Sequence, residues 1–166
     1  MKLKLDKNFI PMVTSEGNEI YQNGIFEWNI SKIIDYIKEN PYLLKPALIS
    51  VKEYYRPNPN RYMDYVMTTD TSKPIILAEI NPGNYNVIDG NHRLCKAYNG
   101  GFECIMAYKI MVKEHLPFLV TLKVYQAFVN YWNGKVDDRN PKPKRRRQTE
   151  LSDRTTSIKS KPQQSI

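Results

Sequence analysis

Apolar positions along the first two thirds of the chain fall into short groups separated by Pro, Gly and Asn, and the spacing within each group predicts its element. Residues 1–23 are polar with scattered apolar positions and predict a strand and turn at the edge of the fold. Ile25-Phe26-Glu27-Trp28 reads as a short strand. Asn29 or Ser31 then caps a helix to about Glu39, with Ile33, Ile34 and Ile37 on one face. Pro41 and Pro46 end it, and Ala47 to Tyr55 follows as a helical or extended piece. After the proline-rich loop Arg56 to Asn60, the side chains of Tyr62, Met63 and Val66 fit one side of a short helix from Asn60 to Met67.

The centre has the clearest pattern. Pro74 to Ile80 has β character, Asn81-Pro82-Gly83-Asn84 is a turn by composition, and Tyr85 to Ile88 returns as a strand, so a hairpin is expected. Asp89-Gly90-Asn91 breaks that strand. Leu94, Ala97 and Tyr98 have the spacing of a short helix that Gly100-Gly101 stops. Phe102 to Val112 is largely apolar and predicts a strand interior to the sheet. Beyond Pro117, Leu122, Tyr125, Phe128 or Val129, and Trp132 repeat at helical spacing, with Gly134 as the expected stop. Short strands and helices alternating this closely imply an α/β or α+β domain over residues 1–134.

Charge changes the picture at the C-terminal end. The chain carries +8 overall, yet residues 135–166 hold ten Lys and Arg against four Asp and Glu, leaving the preceding body close to neutral. This segment begins with a basic run containing Lys142, Lys144, Arg145, Arg146 and Arg147 and continues with few apolar residues. It cannot bury enough surface to offset its ordering entropy, so a disordered basic tail is expected. Three roles stay open for it: a solubilising tail, salt-sensitive contact with DNA, or a nuclear-import signal in a eukaryotic host. No apolar run approaches the ~18 residues of a membrane span, and no signal-peptide stretch opens the chain. Cys95 and Cys104 make neither a disulfide framework nor a four-ligand zinc site. A soluble chain in a reducing, cytoplasmic compartment, without a membrane partner, is the expectation; the oligomeric state is not readable.

Candidate chemistry gathers in Val87-Ile88-Asp89-Gly90-Asn91-His92-Arg93-Leu94. Here an apolar strand delivers an acid, a glycine and three polar side chains at the first turn of a helix. Gly90 lets the backbone bend sharply and lets a ligand approach. The helix start exposes N–H groups and the positive end of the dipole, which favour phosphate. Arg93 supplies a fork of donors that matches phosphate oxygens. His92 can donate a hydrogen bond or shuttle a proton. Asp89 can orient a ribose, hold a metal through water, or act as a base. Plainer roles exist for each: a cap or turn for Asp89, packing for His92, an ion pair with Glu79 or Asp89 for Arg93.

Pro74-Ile75-Ile76-Leu77, the hairpin, Asp89-Gly90-Asn91-His92-Arg93-Leu94, Ala97, Gly101 and the following strand together resemble the ParB/sulfiredoxin superfamily. The order of elements matches over about residues 25–112, and sequence similarity concentrates in 73–110. The resemblance implies a small mixed sheet with short helices and a phosphate site at the strand-to-helix junction. Members include nucleotide-driven DNA clamps, a peroxiredoxin-repair enzyme, free-serine kinases and proteins described as nucleases. Sulfiredoxin has cysteine directly after the glycine, where this chain has Asn91, which argues against redox repair. Partition-type ParB proteins have a glutamate and two arginines where Asn91, His92 and Arg93 stand here. They also carry a helix-turn-helix domain that the sequence after Val112 is too short to supply.

The resulting expectation is a domain that binds a nucleotide or another phosphate-bearing ligand through Gly90, Asn91, His92 and Arg93, with ATP, ADP or CTP as candidate nucleotides and Mg2+ as a candidate ion. Asp89 and His92 are the candidate catalytic residues for phosphoryl transfer or phosphodiester hydrolysis, and no metal ligand set is specified. The alternative is a non-catalytic, DNA-associated partition or mobile-element accessory protein that binds DNA through the tail. Glu27 and Asp70 are further acids that can converge on the site, and Lys73 can add a phosphate contact. Tyr54, Tyr55, Tyr62 and Tyr65 lie around Arg56 and Arg61 and are candidates for stacking on bases. Cys95 reads as a packing residue and His115 as structural.

Overall fold

The computed structural model describes residues 1–140. Its first regular elements are Ile20–Asn23 (β1) and Phe26–Asn29 (β2), paired antiparallel in a two-stranded sheet. Phe26 and Trp28 alternate with Glu27 and turn inward. Asn29 is fully buried and ends β2 by capping Ile30–Glu39 (α1). Its Oδ1 accepts from Lys32 N at 3.1 Å, while its Nδ2 donates to Asn18 Oδ1 at 2.8 Å and Val13 O at 3.3 Å. Ser31, the other candidate cap, instead accepts from Glu19 N at 2.9 Å.

The piece after Pro46 is extended and then helical: Ala47–Ser50 (β3) runs directly into the single turn Val51–Tyr54 (α2). Met63–Thr68 (α3) follows, then Ile75–Asn81 (β4), Asn84–Asp89 (β5), Asn91–Asn99 (α4) and Cys104–Ile110 (β6). Val112–His115 (α5), a 3-10 turn over Leu116–Phe118, and Leu122–Arg139 (α6) complete the described chain. The molecule is therefore mixed α/β. Its main sheet has the order β3-β6-β4-β5, with β4 and β5 forming the antiparallel hairpin and β6 running parallel to β4.

β4 is interior and covered on both faces, which explains its unbroken apolar run. Ile75 and Leu77 pack with Leu94 and Ala97 of α4 and with Ile105 and Ala107 of β6. Ile76 and Ala78 face the larger cluster, built with Trp28, Ile33, Phe128, Val129 and Trp132. Buried His115 joins this second face. Trp28 Nε1 donates to its Nδ1 at 3.2 Å, which leaves Nε2 to donate to the Glu79 carbonyl at 2.8 Å. Glu79 itself is buried, and its carboxylate accepts from Gly83 N at 2.8 Å and Val112 N at 3.2 Å.

Two expectations change. Gly134 does not end the last helix, which continues across the expected 134/135 domain boundary to Arg139. A glycine inside a helix costs only about 1 kcal/mol, and the N-terminal segment ties down the turn around it. Trp132 Nε1 donates to Met1 O at 3.0 Å, Asn133 exchanges hydrogen bonds with the Leu3 backbone, and Lys2 pairs with Asp137 at 2.7 Å. Residues 1–18 thus lie partly along α6, and the expected edge strand is confined to Ile20–Asn23. Lys142, Lys144, Arg145, Arg146 and Arg147, with the rest of the expected tail beyond Asn140, lie outside the described residues. Among the described residues, no helix is long and apolar enough to cross a membrane.

Candidate functional site

β5 ends at Asp89, and the chain turns into α4 through Gly90 in the left-handed conformation, φ +87°. The first helical hydrogen bond runs from Leu94 N to Gly90 O at 2.9 Å. Glycine has no side chain with which to cap, so the first turn of α4 presents its N–H groups without a side-chain acceptor from the cap position. A Cβ at position 90 would lie 2.5 Å from Ile75 Cγ2 and 2.8 Å from Arg93 Nη2. The glycine is required, but the space it leaves is filled by the protein itself. This corrects the expectation that the missing side chain admits a ligand.

Arg93, expected as a phosphate fork or as one half of an ion pair, forms the ion pair. Its Nη2 donates to Asp89 Oδ2 at 2.7 Å and to the Pro74 carbonyl at 3.3 Å. Both partners of this ion pair are about four-fifths buried, with side-chain exposures of 21% and 17%. Of the two expected acids, Asp89 is the partner, because the Glu79 carboxylate is engaged at Gly83 and Val112. The pair spans the strand-to-helix turn and braces it. Arg93 Nε is buried without a hydrogen-bond partner.

Ile88 to His92 form one wall of a cleft of about 720 Å3. Glu19, Tyr21 and the loop Arg56 to Tyr62 complete its lining. Arg56 uses Nη1 on the carbonyls of Glu53 and Tyr55, at 2.7 and 2.8 Å. Arg61 uses Nη1 on the Arg56 carbonyl at 3.1 Å, with its guanidinium 5.4 Å from the Tyr55 ring centre. Each arginine is thereby anchored by one amino group, at the rim of the cleft. His92 is half-buried and meets the Tyr65 ring edge-on at 5.0 Å. Glu19 and Asp89 are the acids that line this cleft.

A second cleft of about 290 Å3 adjoins it, sharing Tyr21, Arg56 and Asn91 and adding Tyr54, Tyr85 and Asn86. Behind the ion pair, Asp89 and Arg93 line a third space with Lys38, Lys73, Ile34, Ile37 and Ile76. Lys73, a candidate phosphate contact, lines this third space and is not among the residues that line the larger cleft.

The structure brings Asp89, Gly90, Asn91 and His92 to one cleft and leaves the other two acids elsewhere. Glu27 lines a separate cleft with Gln22, Thr121 and Lys123, beside the start of α6. β2 is paired to β1 and packs on α6, and that register carries Glu27 away from α4. Asp70 closes a local turn, accepting from Ser72 Oγ at 2.6 Å and Ser72 N at 2.9 Å. Those two hydrogen bonds hold its carboxyl below the usual carboxylate range. Of the tyrosines considered for base stacking, Tyr55 is stacked on Tyr98 at 3.9 Å, whereas Tyr54 and Tyr62 reach the clefts. Cys95 is buried on α4 as a packing residue.

Glu19 and Tyr21 were not readable as wall residues, since only the fold of the N-terminal segment brings them to the cleft that His92 lines. Arg56 and Arg61 had a weak signal in their tyrosine-rich surroundings. Among the described residues, no group of three or more His, Cys, Asp or Glu is placed to hold a metal ion. Compared with protein-family models, curated proteins and solved structures, the chain gives no match in any of the three.

Proposed function

We propose that this chain binds a nucleotide or another phosphate-bearing ligand in the larger cleft, as its resemblance to ParB/sulfiredoxin-like domains implies. One observation carries the reading: the uncapped first turn of α4 adjoins a cleft of about 720 Å3 that Arg56 and Arg61 also line. Helix N–H groups and arginines are complementary to phosphate oxygens. In this reading Asn91, His92 and the backbone of the turn contact phosphate, with the free amino groups of Arg56 and Arg61 facing them. His92 donates to the transferring or leaving oxygen. Asp89 positions a ribose hydroxyl, and Arg93 holds Asp89 and the turn in place rather than touching the ligand.

ATP, ADP and CTP are the candidate nucleotides. The single carboxylate beside the turn suits a Mg2+ ion that arrives on nucleotide phosphates, not one held in an all-protein cage. When bound, that ion would neutralise phosphate charge. Phosphoryl transfer or phosphodiester hydrolysis asks mainly for positioning and charge stabilisation, and these groups supply both.

A thermal-shift panel of the full chain with ATP, ADP, CTP and GTP, each with and without Mg2+, tests the reading. One nucleotide at about 100 times its Kd should add about 3 kcal/mol and raise Tm by several degrees. His92→Ala and Arg61→Ala should abolish the shift, and Glu27→Gln should leave it intact. No shift with any of these nucleotides, with inorganic pyrophosphate or with a short oligonucleotide rejects the proposal.

The excess of basic residues in 135–166 favours a second reading, a non-catalytic module that binds DNA through Lys142, Lys144, Arg145, Arg146 and Arg147. Replacing these five by Gln should abolish DNA binding while any nucleotide shift persists. DNA affinity that survives the replacement removes the second reading.

A further inference from the structure

We propose that the ligand of this site is a single-stranded oligonucleotide, threaded through both adjoining clefts, rather than a free mononucleotide. The inference rests on the reading of the larger cleft as a phosphate site and extends it. Pockets for single small ligands span about 300–1,000 Å3, so the cleft of about 720 Å3 already accommodates one nucleotide. Yet a second space of about 290 Å3 adjoins it, with Tyr21, Arg56 and Asn91 lining both. A mononucleotide seated at α4 leaves that extension without a role.

The extension has the chemistry of a base platform. Tyr21, Tyr54 and Tyr85 are half-buried on its walls, and Asn23 and Asn86 offer amide donors and acceptors there. No Asp or Glu lines it, and the nearest acids, Glu79 and Glu114, act on Tyr85 from outside the wall. Lys109 is outside the wall but lies over the Tyr54 and Tyr85 rings, 5.7 and 5.3 Å from their centres. Its ammonium makes a cation–π contact with both rings and adds positive potential beside them. Rings held in place stack on a base at lower entropic cost than free ones. Arg56 stands where the two spaces meet, the place where a phosphate linking two nucleotides would pass. Stacking on tyrosines needs bases free of a duplex partner, which selects single strands.

The test compares a tetranucleotide carrying 2-aminopurine, as DNA and as RNA, with the mononucleotide that gives the largest thermal shift. The full chain is used at about 0.3 M salt, where exposed basic residues are largely screened from phosphates. The tetranucleotide should bind at least about tenfold more tightly than the mononucleotide and show stacking-type fluorescence quenching. Tyr54→Leu and Tyr85→Leu should each remove about tenfold of that advantage, and Tyr54→Phe should retain it. A preference between the DNA and RNA forms identifies the sugar and supports the inference. If the mononucleotide binds in a His92-dependent way and the tetranucleotide binds no better, this inference falls and the phosphate site stands. If neither binds, both fall. Tetranucleotide binding that survives both leucine substitutions, and disappears when the five basic tail residues become Gln, also overturns it.

Discussion

Gly90 and His115 show how far a single residue's chemistry is set by its neighbours. At position 90 the positive φ and the 2.5 Å approach to Ile75 act together, so Gly90→Ala suffers both backbone strain and overpacking. Urea denaturation should show a loss of about 2–4 kcal/mol. His115 is entirely enclosed, and burial pushes its pKa down to about 4 against the weaker pull of its hydrogen bond to the Glu79 carbonyl. The folded state therefore keeps His115 neutral between pH 6.5 and 4, where the unfolded chain binds a proton. Stability is full above about pH 6.5 and falls with pH until about 4, by about 3 kcal/mol from this residue. Unfolding free energies measured across that window should slope less steeply in His115→Gln than in the parent chain. Equal slopes would show that His115 does not stay neutral when folded.

At the scale of elements, the Asp89–Arg93 bridge joins β5 to α4 and sets the direction in which the helix leaves the sheet. Both side chains are mostly buried, so their coupling should exceed that of an exposed pair. A double-mutant cycle with Asp89→Asn and Arg93→Gln should return about 1–3 kcal/mol. A value near zero would reduce the bridge to a surface pair. In α6 the opposite situation holds at Gly134, where a Cβ would meet nothing within 4 Å. Gly134→Ala should therefore stabilise the protein by about 0.5–1 kcal/mol, read as a higher Tm. Most elements were legible from spacing: the central hairpin from its Asn-Pro-Gly-Asn turn, α1 from its isoleucines, α4 from Leu94 and Ala97. The end of α6 was not, because local propensity at Gly134 is outweighed by contacts from Met1 to Leu3 across more than 120 residues of sequence.

For the whole molecule, Phe128 links the two sheets and the last helix. Its ring lies 5.0 Å from Phe26, 6.3 Å from Trp28 and 5.4 Å from His115. Phe128→Ala should cost about 3–5 kcal/mol in denaturant titration. The sequence alone determined the α/β class, the hairpin, the interior position of β6 and the strand-to-helix turn at Asp89-Gly90-Asn91. These depend on periodicity and turn chemistry, which act over a few residues. Tertiary structure alone decided that Arg93 faces Asp89 and Pro74, that Glu27 and Asp70 stand apart from the turn, and that Glu19, Tyr21, Arg56 and Arg61 complete the cleft. Those outcomes depend on which strand pairs with which and on what each sheet face buries. Such long-range choices are settled by packing and leave no local pattern in the chain.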